Sequence, residues 1–169
     1  MNTLIKMLGL SLVSMLFFAA CSSSTDSDDK EFIATLSDFD GYAGWTKVAT
    51  ETGPDPLLGN AHGAAEPLTR NIFFLDNAQP KNGEYKVGTI IVKELRDGMG
   101  NLAGGVTMLV KRGGDFNPDG NGWEWFMTNT TLDTVYTQGD NAMAGGGMCA
   151  SCHASANVND NGTDWVFSR

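Results

Sequence analysis

The stretch Val87-Gly88-Thr89-Ile90-Ile91-Val92-Lys93-Glu94-Leu95 is rich in β-branched residues, which favour an extended strand. Four further short runs of this character are residues 71–75, 106–111, 122–127 and 132–137. Segments rich in Gly, Pro, Asn and Asp bound them, at 80–83, 97–100, 113–120 and 139–141. Because connections this short cannot hold a helical crossover, the pattern predicts antiparallel pairing of successive strands.

Near the C-terminus the chain carries Cys149-Ala150-Ser151-Cys152-His153. The spacing Cys-x-x-Cys-His is the attachment motif of c-type haem, in which two thiols add to the two vinyl groups and the adjacent imidazole ligates the iron. We therefore predict one haem c, with Cys149 and Cys152 as covalent anchors and His153 as the axial iron ligand. A zinc site or a disulfide is the alternative for the two cysteines.

Two helices complete the predicted fold. Apolar residues at 32, 33, 36 and 39 have helical spacing, and Gly41 would end that helix. The pentad would lie on a second, short helix. The predicted class is α+β: an antiparallel sheet of about five strands, an N-terminal helix and a short C-terminal haem-bearing helix.

The late position of the pentad narrows the class of haem protein. Mitochondrial-type cytochromes c carry it near the N-terminus and follow it with an axial Met, whereas no Met follows His153 here. A chain with 21 glycines and five strand-like runs also does not suit the four-helix bundle of the helical cytochromes c-prime. The sequence therefore predicts a β-sheet domain that carries haem.

Candidates for a sixth iron ligand are weak. His62, the only other histidine, lies in a Gly/Ala-rich segment where a surface or structural role is also expected. Met143 and Met148 lie too close to the pentad to reach the opposite haem face easily. We expect an iron with an open distal side.

Residues 115–120 imitate the start of a calcium loop. However, Phe126 stands where such a loop has its Glu, and Pro118 is unusual there. A polar hairpin turn is the favoured interpretation.

The N-terminus predicts export. Residues 1–6 supply one positive charge, residues 8–20 form an apolar run of signal-peptide length, and Phe18-Ala19-Ala20-Cys21 resembles a bacterial lipobox, although Leu is usual in place of Phe18. Residues 1–20 are thus predicted to be a signal peptide and Cys21 a lipidated residue; an ordinary signal peptide cut nearby is the alternative. Ser22 after the cysteine favours the outer membrane, so we expect a lipid-anchored protein of the bacterial cell envelope that faces the periplasm.

Charge excludes one class of partner. Residues 1–20 contain one Lys and no acid, so the remainder has 10 basic and 20 acidic side chains, a net charge of −10. Such a surface is unsuited to nucleic acid. Residues 21–30 read as a flexible tether and residues 31–169 as one haem domain.

The chain resembles the cytochrome P-460 family, which includes the β-sheet cytochrome c-prime-beta. The resemblance rests on four blocks in order around the pentad, within residues 30–168. The blocks are residues 87–95 with their Val-Lys-Glu, residues 108–111, residues 122–126 and Asp164-Trp165-Val166-Phe167, and the pentad is followed by Ala154. It implies a small antiparallel sheet over one haem and allows a homodimer.

The resemblance also implies a role for Lys93. In hydroxylamine-oxidising members the lysine of Val-Lys-Glu is covalently linked to the porphyrin edge, and such a protein passes electrons to an external acceptor, for example another cytochrome. In members without the link, the expected role is binding of nitric oxide or carbon monoxide. A six-coordinate electron carrier is a third alternative.

Strand geometry is compatible with the link at Lys93. On an extended strand this residue shares a face with Val87, Thr89, Ile91 and Leu95, which would desolvate its amine and lower its pKa. Equally, Lys93 could pair with a haem propionate, or extend along the core into water.

Overall fold

Six strands of the described residues form one antiparallel sheet in which each strand pairs with the next in sequence. The structure, a computed structural model, describes residues 30–53, 68–140, 148–158 and 162–167. The strands are β1 (Thr46–Thr52), β2 (Thr69–Phe74), β3 (Ile90–Arg96), β4 (Val106–Lys111), β5 (Trp123–Thr128) and β6 (Val135–Gly139). The predicted α+β class with an antiparallel meander is confirmed, with six strands in place of about five.

The strand that the sequence did not reveal is β1. Its residues are mostly exposed and it lies at one edge of the sheet, so it lacks the run of apolar residues that marks the buried strands. It pairs with β2 through a register shift between Lys47 and Ala49. Only the pairing, and not the hydropathy, identifies it as a strand.

The described part of the chain contains few helices. One α-helix, α1 (Met148–Val158), carries the pentad, as predicted. Single 3-10 turns occur at Leu36–Phe39, Tyr42–Gly44, Leu75–Asn77 and Pro118–Gly120. No described helix is long and apolar enough to cross a membrane.

The helix predicted over residues 32–39 is wrong in length and type, because only Leu36–Phe39 is helical and that turn is 3-10. The N–H of Phe32 donates to the carbonyl of Arg112 at 2.9 Å, which holds the start of the segment extended along β4. Asp38 then accepts from the backbone and hydroxyl of Thr35 and caps a single turn.

Each side of the sheet has its own apolar core. Residues 32–45 cover one side, which we call the N-terminal face; its buried residues are Ala34, Phe39, Tyr42, Phe73, Ile90, Val92, Val106, Met108, Val110 and Phe126. Helix α1 and residues 162–167 pack on the other side, the C-terminal face; its buried residues are Ile72, Phe74, Tyr85, Ile91, Leu109, Trp123, Trp125 and Val166.

Strand β3 contributes to both faces because its side chains alternate. Ile90 and Val92 belong to the N-terminal face and Ile91 to the C-terminal face, so Lys93 points to the C-terminal face and Glu94 to the N-terminal face. The strand begins at Ile90, later than the predicted residue 87, since Gly88 adopts a positive φ of 86° that interrupts the extended backbone.

Candidate functional site

Helix α1 presents the three predicted pentad residues against the C-terminal face. The segment is rich in alanine, a strong helix former, and the hydroxyl of Ser155 donates to the carbonyl of Cys152 at 2.7 Å. Cys149 and Cys152, three residues apart, lie on one side of the helix. Both are partly buried free thiols, so the structure shows no disulfide between them.

His153 is buried, and one of its ring nitrogens is hydrogen-bonded to a backbone carbonyl. Its Nδ1 lies 2.6 Å from the carbonyl oxygen of Trp165, and because a carbonyl only accepts, Nδ1 carries the proton and donates. Burial lowers the pKa of His153 to about 4, outweighing the opposing effect of that hydrogen bond, and the charge of Lys93 lowers it further. The ring is therefore neutral at pH 7, with Nε2 in the form that ligates a metal ion.

Two aromatic rings flank the imidazole. Trp125 of β5 packs edge-on with its centroid 6.1 Å from that of His153, and Phe167 does so at 5.6 Å. Together with the Trp165 carbonyl, these contacts fix the plane of the imidazole. The side chain is thus held by the sheet and by the segment after α1, and not by α1 alone.

Lys93 of β3 lies within electrostatic range of the pentad, although 56 positions separate it from Cys149. Burial lowers the pKa of Lys93 to about 7; the charge of Arg70 lowers it further, and Cys149 opposes the shift. Conversely, burial raises the pKa of the Cys149 thiol, and Lys93 partly offsets this rise. A substantial fraction of the Lys93 amine is therefore uncharged near pH 7.

Arg70 is a second cation of the C-terminal face, and sequence reasoning missed it. It precedes Ile72 by two positions on β2, and Ile72 is the register partner of Lys93. Its guanidinium is buried and Nη1 donates to the carbonyl of Gly53 at 3.0 Å. The signal in the sequence was an arginine alternating with the apolar Ile72 and Phe74, which places it on the same side of the strand.

Three buried polar groups have no hydrogen-bond partner within the described part of the chain and lie at or beside this face: the indole N–H groups of Trp123 and Trp125 and the hydroxyl of Thr89. A buried donor without a partner costs about 1–3 kcal/mol. Such groups are expected where a bound molecule supplies the missing acceptor.

These residues can hold a covalently attached, metal-containing cofactor. Thiols can form thioether bonds, the Nε2 atom of a neutral imidazole can ligate a metal ion, and buried cations can bind carboxylates. Within the described ranges, no group of three His, Cys, Asp or Glu residues could hold a metal ion by itself. The donor set therefore suits a cofactor that brings most of its own metal ligands.

Several predicted positions lie outside the described residues: the signal peptide, Cys21, nearly all of the tether, His62 and Met143. Met148 begins α1, but its side chain also lies outside that description. The calcium-like stretch is described, and it forms the turn between β4 and β5. There the Asn117 amide donates to the carbonyl of Trp123 at 2.7 Å, which confirms a polar hairpin turn.

No protein-family model matches this chain, and no curated protein sequence matches it. The resemblance to the cytochrome P-460 family therefore rests on the residues of this chain alone.

Proposed function

We propose that residues 31–169 form a monohaem c-type cytochrome domain, with Cys149 and Cys152 as thioether anchors and His153 as the axial ligand. The observation that carries the proposal is the state of His153. It is buried, neutral at pH 7 and oriented by the Trp165 carbonyl through Nδ1, so Nε2 is the nitrogen that carries a lone pair able to ligate iron. Such a backbone partner is what metal-ligating histidines use to fix ring orientation and tautomer.

The surroundings of the pentad fit this cofactor. Haem c has two propionates, and Arg70 and Lys93 supply cations on the apolar face against which α1 packs. The indole N–H of Trp125, beside His153, has no hydrogen-bond partner among the described residues and is a donor for which a bound group could supply an acceptor. A bound haem would supply an iron centre that takes up small ligands and changes oxidation state.

We further propose that the distal side is open and that the protein binds or oxidises small nitrogen species, with hydroxylamine and nitric oxide as the ligands. Lys93 decides between the two roles. Its lowered pKa, from burial and then from Arg70, gives an amine able to form a bond to the porphyrin edge, with loss of hydrogen to an oxidant such as hydrogen peroxide. With that link, the proposed activity is oxidation of hydroxylamine, which releases protons and electrons in equal number to an external acceptor, such as another cytochrome.

One observation favours a second role. Lys93 lies beside Arg70, and two neighbouring cations on an apolar face suit propionates equally well. If Lys93 is used in this way, the protein is a nitric oxide or carbon monoxide binder like cytochrome c-prime-beta. A six-coordinate electron carrier, with His62 or Met143 on iron, is the remaining alternative.

The location of the protein is also a proposal. A lipid on Cys21 would anchor the domain to the periplasmic side of the outer membrane, with residues 21–30 as the tether. This compartment suits the function because c-type haem is attached outside the bacterial cytoplasm.

The test is the intact mass of the full-length protein, made in a bacterium that attaches c-type haem, together with the absorption spectrum after denaturation. We expect one haem per chain, lipid on the mature N-terminus, and a red-shifted Soret band that survives denaturation. Lys93→Ala should abolish the red shift and leave the haem attached, whereas the matched variant Lys86→Ala, at an exposed lysine, should change neither.

Each failure has its own meaning. A mass without haem would overturn the cytochrome proposal. Haem without a red shift would replace hydroxylamine oxidation with gas binding. A low-spin spectrum that does not respond to nitric oxide would leave only the electron carrier.

A further inference from the structure

The segment after α1 contains a tight turn with unusual backbone geometry. Thr163 and Val166 exchange two backbone hydrogen bonds, each 3.0 Å long. Between them, Asp164 and Trp165 both have positive φ, of 50° and 68°. Two successive left-handed residues suit Gly or Asn, and a non-glycine residue in such a region costs on the order of 1–3 kcal/mol. The surrounding contacts must therefore hold this turn.

Asp164 supplies those contacts on one side. Asp164 as a residue is 3% exposed, and its carboxylate accepts from the Tyr85 backbone N–H at 2.8 Å, from Lys111 Nζ at 2.9 and 3.1 Å, and from the amide of Asn121. Lys111 is also buried, with Nζ over the ring of Trp123 at 5.2 Å. One side chain thus fastens the turn to β4, to the connection between β2 and β3, and to the connection between β4 and β5.

Trp165 connects the turn to the iron ligand. Its carbonyl accepts from His153 Nδ1 at 2.6 Å, and its ring packs on Trp125 at 6.2 Å between centroids. Because the positive φ of Trp165 sets the direction of the peptide groups in the turn, the turn determines where this acceptor points. A relaxed turn would move the carbonyl away from the imidazole.

We propose that Asp164 is a positioning residue for the axial ligand: its bonds to Lys111, Asn121 and Tyr85 hold the left-handed turn that aims the Trp165 carbonyl at His153. This inference rests on the proposed function, because it requires His153 to ligate haem iron. The carbonyl fixes the ring and makes Nε2 a stronger electron donor. Asp164 acts at a distance, through backbone geometry, and touches neither the imidazole nor iron.

The test is resonance Raman spectroscopy of the reduced, haem-loaded, full-length protein, in which the iron–histidine stretching band reports the strength of electron donation from His153. In Asp164→Asn, which keeps the size of the side chain but removes its charge, the band should shift to lower frequency and broaden.

The control is Glu94→Gln. Glu94 is an equally buried carboxylate with as many donors, but it lies on the N-terminal face. It should lower stability and leave the iron–histidine band unchanged. If Asp164→Asn does not fold, Lys111→Met tests the same set of hydrogen bonds. Asp164 then keeps its bonds from Tyr85 and Asn121, so we expect a smaller shift of the band in the same direction.

The outcomes separate the two proposals. A wild-type protein without haem would overturn the proposed function and this inference with it. A haem-loaded Asp164→Asn or Lys111→Met protein with an unchanged band would overturn the inference alone, because Asp164 would then be merely structural. A shift of the iron–histidine band in Glu94→Gln as large as that in Asp164→Asn would also overturn the inference alone. A shift confined to the Asp164 and Lys111 variants supports the positioning role.

Discussion

Lys93 and Glu94 are neighbours in the sequence, yet they lie on opposite faces of the sheet, and the polar groups around the two side chains differ. On the N-terminal face, Glu94 is 1% exposed and both of its oxygens are bonded. Tyr42 donates to one at 2.8 Å, Asn71 to the other at 2.8 Å, and Arg96 to both. The chain itself completes this network.

The C-terminal face is not complete in the same way. The indoles of Trp123 and Trp125 are buried without hydrogen-bond partners among the described residues, and the cations Arg70 and Lys93 lie on the same apolar side. A polar network that the chain completes by itself contributes to structure. Glu124, on the N-terminal face, also has a buried oxygen without a hydrogen bond from the described residues. What indicates a site is therefore the combination of unpartnered donors and cations beside the pentad, and this can be tested.

The largest effect is expected from the thiols of the C-terminal face. Replacing Cys149 and Cys152 together by Ser in a Lys93→Ala background, where no lysine link can hold the porphyrin, should remove all covalently held haem, since neither thioether bond can form. Haem staining of a denaturing gel measures this. Cys21→Ser is the matched control and should lose lipid but keep haem; haem retained by the variant that lacks Cys149, Cys152 and Lys93 would contradict the assignment.

The next largest effect is expected on the N-terminal face. Glu94→Ala leaves Tyr42 and Asn71, which are buried, and Arg96, which is partly exposed, without their shared acceptor. It should lower the free energy of unfolding by about 2–5 kcal/mol, mainly through the two buried donors. Urea titration measures this. Glu51→Ala, at an exposed position of β1, should change it by no more than about 0.5 kcal/mol. An equal decrease in the free energy of unfolding in Glu94→Ala and Glu51→Ala would show that the hydrogen bonds of Glu94 contribute little to stability.

The same carboxylate predicts a pH dependence. Burial alone would raise the pKa of Glu94, but the hydrogen bonds from Arg96, Asn71 and Tyr42 together lower it below the usual 4.5. A carboxyl with a lowered pKa stabilises the folded state above pH 4.5 and loses this contribution as the pH falls through the folded-state value. Glu94→Gln should therefore lose less stability than the wild type on acidification below pH 4.5. Urea midpoints at a series of pH values test this, and parallel curves would contradict it.

The smallest effects compare single polar atoms. Tyr42→Phe removes a hydroxyl that donates to Glu94 and should cost about 1–3 kcal/mol. Thr89→Val removes a buried hydroxyl that has no partner within the described ranges and should be neutral within about 1 kcal/mol, or stabilising. Thermal unfolding of both variants measures the difference; a greater loss in Thr89→Val would reverse the contrast.

The sequence predicted what depends on local pattern. Buried strands such as β3 and β4 are apolar and β-branched, and the pentad has a fixed spacing on a helix, so each is visible within a few residues. Strand β1 was missed because an exposed edge strand has no such pattern. The prediction of an N-terminal helix was wrong because the hydrogen bond from Phe32 to Arg112, which keeps the segment extended, joins residues far apart in sequence.

The same limit applies to the candidate site. The pentad identified Cys149, Cys152 and His153, but the side that Arg70 shares with Lys93 depends on the register of β2 against β3. Asp164 belongs to the motif Asp164-Trp165-Val166-Phe167, but the sequence did not indicate its role. Its hydrogen-bond partners come from β4 and two separate connections. Residues that act through tertiary contacts become visible only when the strands are aligned.

The order of the strands separates two stages in the production of this protein. Because every strand pairs with its neighbour in sequence, each contact of the sheet can form as soon as the next strand is available, which favours rapid assembly. Helix α1 is synthesised after all six strands. The sheet can therefore form before Cys149 and Cys152 are available. Attachment of a cofactor would then be the last step of maturation, and it would take place against a sheet that is already folded.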